Sequence, residues 1–232
     1  MHQLNIILPV FNEKDTIEIV LQEWKQELDK QNLIYSFIVC EDGSTDGTKE
    51  LLMQLQKKYP LKLDQKQKRR AYGSAVIDGI KTANSEYILC VDSDGQCDPK
   101  DFYTFWKNKE KAQVLIGWRR KRADPLQRKV FSSLFKAIFV VLFPTRIHDP
   151  SAPFVLFKKS TVIPHASHLI YLKEGFWWGF VGMCIKKRLQ IHEITINHRA
   201  RLKGNTQIYK AHKILDIFLR NLIGLLRLKI AH

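Results

Sequence analysis

Tyr87-Ile88-Leu89-Cys90-Val91-Asp92-Ser93-Asp94-Gly95-Gln96 is the stretch that decides the fold. An apolar run of strand length ends abruptly at a cluster of acids and a glycine, so the chain leaves a strand and enters a polar turn. The same alternation extends outward on both sides. Toward the N-terminus, Leu4-Asn5-Ile6-Ile7-Leu8 reads as a buried strand stopped by Pro9. Asp15 or Thr16 can cap a helix to about Lys30, with Ile17, Val20, Leu21, Trp24 and Leu28 on one face. Tyr35–Cys40 is a strand, Asp46 starts a helix through Leu51, Leu52 and Leu55, Leu61–Leu63 is a short strand, and Ser74–Ala83 is helical. Beyond the acids, Val114-Leu115-Ile116 is a further strand. Strands separated by helices imply an α/β domain built on a parallel sheet with right-handed crossovers. Ligands of such sheets gather where the strands' carboxyl ends open into loops. Three loops qualify: Pro9–Glu13, Glu41–Gly47 and Asp92–Asp98.

The second half reads differently. Arg119–Lys129 is basic and turn-containing, and the apolar stretch Val130–Phe143 follows it, interrupted by Lys136. Phe154–Phe157 and Glu193–Asn197 have strand character, with Phe176-Trp177-Trp178 between them. From Ala211 to Ile230 the pattern is helical: Lys213, Asp216, Arg220, Gly224 and Arg227 form a narrow polar stripe and apolar residues cover the rest.

The 232 residues carry 38 Lys+Arg against 23 Asp+Glu, a formal +15. From Gly117 onward there are 22 basic and 5 acidic side chains, so the whole excess sits in the second half and calls for an anionic partner there. A hydrophobic content of 45%, with 13 Phe, 7 Tyr and 5 Trp, excludes a disordered chain. Cys40, Cys90, Cys97 and Cys184 show no CxxC pair, which argues against a zinc site or a disulfide framework. No signal peptide and no run of about 18 apolar residues is expected, so the chain is read as one that does not cross a bilayer by itself.

Two carboxylates at i and i+2 around a turn, Asp92 and Asp94, can share one divalent cation, and the Gln96 amide can add a ligand. Hard oxygen donors suit Mg²⁺ or Mn²⁺, particularly when a diphosphate completes the shell. The bland reading of the same residues is an Asp/Ser/Gly turn. Glu41–Thr48 could hydrogen-bond a base or ribose, with Asp46 serving as a helix cap. Gly73-Ser74-Ala75 opens a helix on which an anion could sit. Cys40 and Cys90 lie in apolar strands and read as core. His148, His192 and His198 show no metal spacing, and Trp177 and Trp178 read as packing or interface residues.

Taken together, Pro9-Val10-Phe11-Asn12-Glu13, Glu41–Thr48, Tyr72-Gly73-Ser74-Ala75 and Asp92–Gln96 stand in an order and spacing that resemble family 2 glycosyltransferases. Within that family the chain is most similar to the dolichyl-phosphate mannose synthase and polyprenyl-phosphate glycosyltransferase group. Gly117-Trp118-Arg119 resembles their Gly-Ser-Arg, Arg128 through Ser132 their Arg-x-x-x-Ser, Asp149-Pro150-Ser151 an Asp-x-Thr-Ser segment, and Arg201–Thr206 their Arg-x-x-Gly-x-Ser. Departures are Phe11 for Tyr, Trp118 for a small residue, Pro153 for Gly and Gln207 for Lys.

The resemblance implies a GT-A fold over residues 1–208, a mostly parallel Rossmann-like sheet with flanking helices. It is followed by an amphipathic, membrane-associating helix over 209–232. It implies an inverting transfer from a nucleotide-diphosphate sugar to a polyprenyl phosphate at the cytoplasmic membrane face. Asp92, Asp94 and Gln96 would hold Mg²⁺ or Mn²⁺. Asp94, Arg119 and Arg201 would act on the leaving diphosphate, both arginines on surface loops. Pro9, Phe11, Asn12, Glu13, Cys40, Asp42, Ser44, Gly73, Asp92 and Ser93 would bind the nucleotide sugar, and Arg128, Ser132 and Asp149 would face the acceptor. Val130–Phe143 and Ala211–Ile230 are expected to dock on an anionic membrane surface, helped by exposed aromatics, with or without a membrane-anchoring subunit. A lipid phosphate is already an anion and needs no general base, whereas a saccharide hydroxyl does. Glu174 is the candidate base for that alternative. A remoter alternative is a basic nucleic-acid-binding protein with Arg119–Arg122 and the Trp pair as its footprint.

Overall fold

The structure, a computed structural model, describes residues 2–121, 126–172, 175–202 and 214–231, without the side chains of 126–129 and 214–215. Seven strands form one sheet in the order β3-β2-β1-β4-β6-β5-β7. They are β1 (Leu4–Val10), β2 (Tyr35–Glu41), β3 (Leu61–Gln65), β4 (Tyr87–Cys90), β5 (Val114–Trp118), β6 (Val155–Lys158) and β7 (Ile191–Thr195). The pairs β1–β2, β1–β4, β2–β3 and β5–β7 are parallel; β6 runs antiparallel to both β4 and β5. The sheet is thus mostly parallel, and the strand expected at Phe154–Phe157 supplies the reversal.

β1 runs through Pro9 to Val10 and does not stop where the proline was expected to end it. Ile7 and Pro9 lie on the same side of the strand, with Val91 N–H donating to the Ile7 carbonyl and the Ser93 hydroxyl to that of Pro9. β4 pairs with β1 only as far as Ile7, so the N–H that proline lacks would meet no ladder partner.

The helices are α1 (Ile17–Asp29), α2 (Thr48–Leu55), α3 (Tyr72–Thr82), α4 (Phe102–Lys107), α5 (Leu126–Leu142), α6 (Lys159–Val162), α7 (Phe176–Lys186) and α8 (Ile214–Ile230). α1 buries Ile17, Val20, Leu21, Trp24 and Leu28, the five residues its periodicity selects. They join one core on one face of the sheet with Phe37, Phe102, Phe105 and Phe154. The second core lies on the other face, where α3, α5, α7 and α8 meet around Phe139, Phe143, Phe176, Trp178, Phe180, Leu225 and Leu228. Gly79 of α3 lies so close to the sheet that a Cβ there would stand 2.6 Å from Ile7 Cγ2. Only glycine permits that approach.

Two expectations for the second half are corrected. Phe176, Trp177 and Trp178 are buried, because α7 is wedged between the sheet and α8. They offer neither exposed aromatics to a membrane nor a stacking platform to a nucleic acid. The polar stripe on α8 is broken as well: Gly224 is buried against the Tyr171 carbonyl and Leu172, and the buried Asn221 Oδ1 accepts the Gly175 N–H. The exposed side of α8 carries Leu219, Arg220, Ile223, Leu226, Arg227, Lys229 and Ile230. On α5, Val130, Phe131, Leu134 and Val141 are exposed, Val141 at 77%. The boundary expected at residue 208 falls outside the described residues. Among the described residues, no helix is long and apolar enough to cross a membrane.

Candidate active site

The carboxyl ends of β1, β2 and β4 open side by side onto one cleft. Its wall includes Pro9, Phe11, Glu13, Asp42, Asp92, Ser93, Asp94, Gln96, Arg119 and Arg201, all singled out by their motifs, together with Val10, Arg69, Tyr72, Ala75, Pro153 and His198. Parallel strands deliver their C-terminal loops to one edge, so segments some 190 residues apart meet there.

The first two loops are laced together by polar bonds. Asn12 N–H donates to Ser44 Oγ (2.9 Å), Thr45 N–H to Asn12 Oδ1 (2.9 Å) and Glu13 N–H to Thr48 Oγ1 (3.1 Å). Asn12 and Ser44 therefore shape the loops and do not line the cleft. Asp46, one residue ahead of Gly47, the N-cap of α2, accepts from Thr48 N–H and Lys14 N–H and so ties the start of α2 to the first loop. Burial pushes the Asp46 carboxyl up, but the Thr48 hydroxyl and these N–H groups outweigh it and hold the group below its ordinary value. Asp42 is buried and accepts from the N–H groups of Arg70 (2.6 Å) and Ala71 (3.1 Å), with the Arg70 Nε at 3.4 Å. These bonds hold the loop whose Arg69 guanidinium lies over the Phe11 ring, 4.1 Å from its centroid. The Cys40 side chain faces the other way, into the core beneath Gly79, and burial raises its thiol pKa to about 12. Its expected place in the nucleotide site is thus sealed off by α3. Gly73 is buried in the first turn of α3 and is not part of the wall.

The acid turn is built tightly. Asp94 Oδ1 accepts the Gln96 N–H (3.0 Å), and Gly95 sits at φ +77°, where a Cβ would also strike Leu202. The segment after β7 is fastened along the turn: Leu202 N–H donates to the Asp94 carbonyl, and Arg199 N–H to that of Gln96. The Gln96 side-chain amide donates in return to the Arg199 carbonyl (3.3 Å). Arg201 is thereby held over the acids, paired with Glu13 and 3.5 Å from Asp94 Oδ2. Burial chiefly raises the Glu13 pKa; the Thr16 hydroxyl and Arg201 work against the rise, and the Asp94 charge adds to it.

The donor set fits a divalent cation. Asp92 and Asp94 offer hard oxygens at the cleft wall, and a guanidinium already stands against Asp94, as expected where negative charge awaits a counter-ion. Among the described residues no three His, Cys, Asp or Glu side chains form a closed metal group, so further ligands would have to come from a bound substrate.

Arg119 is not on a surface loop. It is 6% exposed, at the end of β5, and its fork meets Asp149 (Nε–Oδ2 2.7 Å, Nη2–Oδ1 3.0 Å) and the Ser151 hydroxyl (2.8 Å). Asp149 N–H in turn donates to Glu193 (3.0 Å). Asp149, expected toward the acceptor, is thus the buried partner that orients Arg119 at the cleft wall. Ser132 lies on α5; the side chain of Arg128 is outside the described residues, as is Glu174.

Residues 5–171 match the family model for glycosyl transferase family 2. The chain belongs to glycosyl transferase family 2. A dolichol-phosphate mannosyltransferase of Pyrococcus furiosus is 28% identical over 168 residues, 69% of this chain and 47% of the relative. A dodecaprenyl-phosphate galacturonate synthase of Rhizobium johnstonii is 26% identical over 207 residues, 87% of this chain and 60% of the relative. The chain thus spans about half to three-fifths of the length of these curated relatives. Among solved structures, glucosyl-3-phosphoglycerate synthase from Mycobacterium tuberculosis in complex with Mn²⁺, uridine diphosphate and phosphoglyceric acid superposes with a TM-score of 0.72 at 16% identity. The match covers 99% of this chain and 79% of that one. The fold of this chain is GT-A, as the motifs imply.

Of the wall residues that were not named as site residues from the sequence, Tyr72 had the clearest signal, since it heads the Tyr72-Gly73-Ser74-Ala75 motif. Arg69 lay in a basic run indistinguishable from a solvated loop, and His198 had no spacing to mark it.

Proposed function

We propose that this family 2 transferase moves a sugar, with inversion, from a nucleotide-diphosphate sugar to a polyprenyl phosphate at the cytoplasmic membrane face. The observation that carries the reading is the convergence of Asp92, Asp94 and Arg201 in one cleft, in a chain whose curated relatives are named for dolichol-phosphate and dodecaprenyl-phosphate acceptors.

Asp92 and Asp94, with Gln96 beside them, would hold Mg²⁺ or Mn²⁺, which when bound offsets charge developing on the departing diphosphate. Arg201 pairs with the acids and can turn its donors to phosphate oxygens. Arg119, locked by Asp149 and Ser151, keeps its N–H donors in a fixed place at the cleft wall, which costs no reorganisation during reaction. Phe11 and Arg69 form the aromatic and cationic floor for the nucleobase, beside the loop that Asp42 secures. The acceptor, as an anion, attacks without a base, which agrees with a cleft wall rich in arginine.

Membrane docking belongs to the same proposal. The outward sides of α5 and α8 combine Val130, Phe131, Leu134, Leu219, Ile223, Leu226 and Ile230 with Arg227 and Lys229, while Arg220 is paired with the exposed Asp216. Apolar side chains can enter the headgroup boundary while each cation gains about 1 kcal/mol from anionic lipid. Whether a membrane-anchoring subunit assists is a further part of the proposal.

The test is transfer of radiolabelled sugar to liposomes carrying a polyprenyl phosphate, with Mn²⁺ and a panel of GDP- and UDP-sugars. Label extracted into organic solvent from one donor is the expected result. Label found only on a water-soluble saccharide, or hydrolysed donor alone, overturns the lipid acceptor.

A further inference from the structure

A hydrogen-bonded chain of three side chains runs from α7 to the acid turn. The Trp177 indole N–H donates to the Tyr72 hydroxyl oxygen at 2.8 Å, and Tyr72 O–H reaches Asp92 Oδ1 at 2.6 Å. The direction of this chain is not a free choice. An indole nitrogen can only donate, so the tyrosine oxygen must accept from it. The tyrosine's own proton is then left for Asp92, whose ionised carboxylate can only accept. Trp177 is buried, and Tyr72 is packed against the edge of Phe176, so the hydroxyl has little room to rotate.

The chemistry differs from that at the second acid. Asp94 faces a guanidinium, which offsets its charge. Asp92 receives a phenol O–H, a neutral donor that orients the carboxylate without adding a charge of its own.

We infer that Tyr72, oriented by Trp177, is a positioning residue that sets the Asp92 carboxylate for the divalent cation. The inference rests on the proposed cation site, and it adds to that site a connection from α7, in the second core, to the acid turn. Partners one shell out from a metal ligand are worth roughly 10–100-fold in metal affinity.

The experiment is Mn²⁺ binding followed by electron paramagnetic resonance with GDP or UDP present, on the full chain and its variants. Tyr72→Phe, which removes one oxygen and keeps the ring, is expected to weaken Mn²⁺ binding about 10-fold. Trp177→Phe is expected to weaken it by a few-fold, since it removes only a hydrogen bond to the relay. The double variant is expected to bind no more weakly than Tyr72→Phe, because the indole acts only through the hydroxyl. Metal-free melting temperatures control for packing: a merely structural role lowers them and leaves Mn²⁺ affinity in the folded fraction unchanged. Wild-type affinity in Tyr72→Phe, or additive losses in the double variant, overturns the relay. Should Tyr72→Phe not fold, Trp177→Phe decides alone, unchanged affinity counting against the inference. A wild type that binds no Mn²⁺ beside either nucleotide overturns the cation site itself and the relay's role with it; wild-type binding that the variants retain overturns the relay alone.

Discussion

The loops beyond β1, β2 and β4 are held by polar bonds between distant segments, whereas the layer of α5, α7 and α8 is held by aromatic and aliphatic packing. In the loops, Asn12, Ser44, Asp42 and Asp94 spend their side chains on backbone N–H groups, so the cleft wall is rigid before any ligand arrives. In the helical layer, Phe135, Phe139, Trp178 and Phe218 pack ring against ring, and the polar groups are few. Specific bonds fix positions to fractions of an ångström, as a site for charged groups needs. Apolar packing secures a layer while leaving its outer side free to be apolar too. The two regions should therefore respond differently to substitution: the loops in activity, the layer in stability or in docking.

The largest expected effect is on the loop side. Asp94→Ala should lower turnover by about a thousandfold, since a cation contributes several kcal/mol to transition-state stabilisation. Thermal denaturation should change little, because Asp94 lies at the mouth of the sheet. Steady-state rates at saturating Mn²⁺ check the first part, and activity near wild type breaks the comparison.

The two arginines sharpen it next. Arg119→Ala leaves Asp149 buried without its bidentate partner and should cost about 3–5 kcal/mol of stability by denaturant titration. Arg201 is less buried than Arg119 but its partners Glu13 and Asp94 are buried, so Arg201→Ala should cost less, about 1–3 kcal/mol, while turnover falls roughly a hundredfold. Equal stability losses in both would mean that burial does not separate their roles.

Within α8, neighbouring leucines test the layer. Leu225 is fully buried, and Leu225→Ala should cost about 2–5 kcal/mol. Leu226 is exposed, and Leu226→Asp should change stability by no more than about 0.5 kcal/mol while reducing flotation with anionic liposomes. Flotation that is indifferent to Leu226 removes this side of α8 from the docking surface.

The smallest effect concerns Asp46, whose pKa is held below 3.8 in the folded chain. A depressed carboxylate stabilises the fold fully above that ordinary value, and the contribution fades as pH falls through the lower folded value. Asp46→Asn should therefore flatten the acid limb of a plot of Tm against pH and leave Tm near pH 7 slightly lower. An unchanged acid limb would show that the Asp46 bonds at the start of α2 carry no charge-dependent stability.

Much of the sheet, and most of the cleft's cast, could be read from the chain alone. Strict apolar runs placed β1, β2, β4 and β5, and the 3.6-residue period of α1 picked out its five buried residues, because local patterning is enough when an element has one dry face. The acid turn was legible for the same reason: Asp, Asp and Gly after a strand admit few conformations. The packing role of Trp177 and Trp178 was legible, but the antiparallel insertion of β6 and the capture of Arg119 by Asp149 were not. Each depends on which distant segment arrives opposite, and nothing in 30 neighbouring residues encodes that arrival. Tyr72 is the sharpest case. Its place in a motif was visible, but its bonds to Asp92 and Trp177 join positions 20 and 105 residues away. The sequence by itself determined the elements and the chemical types gathered at the strand ends; the tertiary structure alone decided which donors face which acceptors, because hydrogen bonds act over about 3 Å and only folding brings such groups that close.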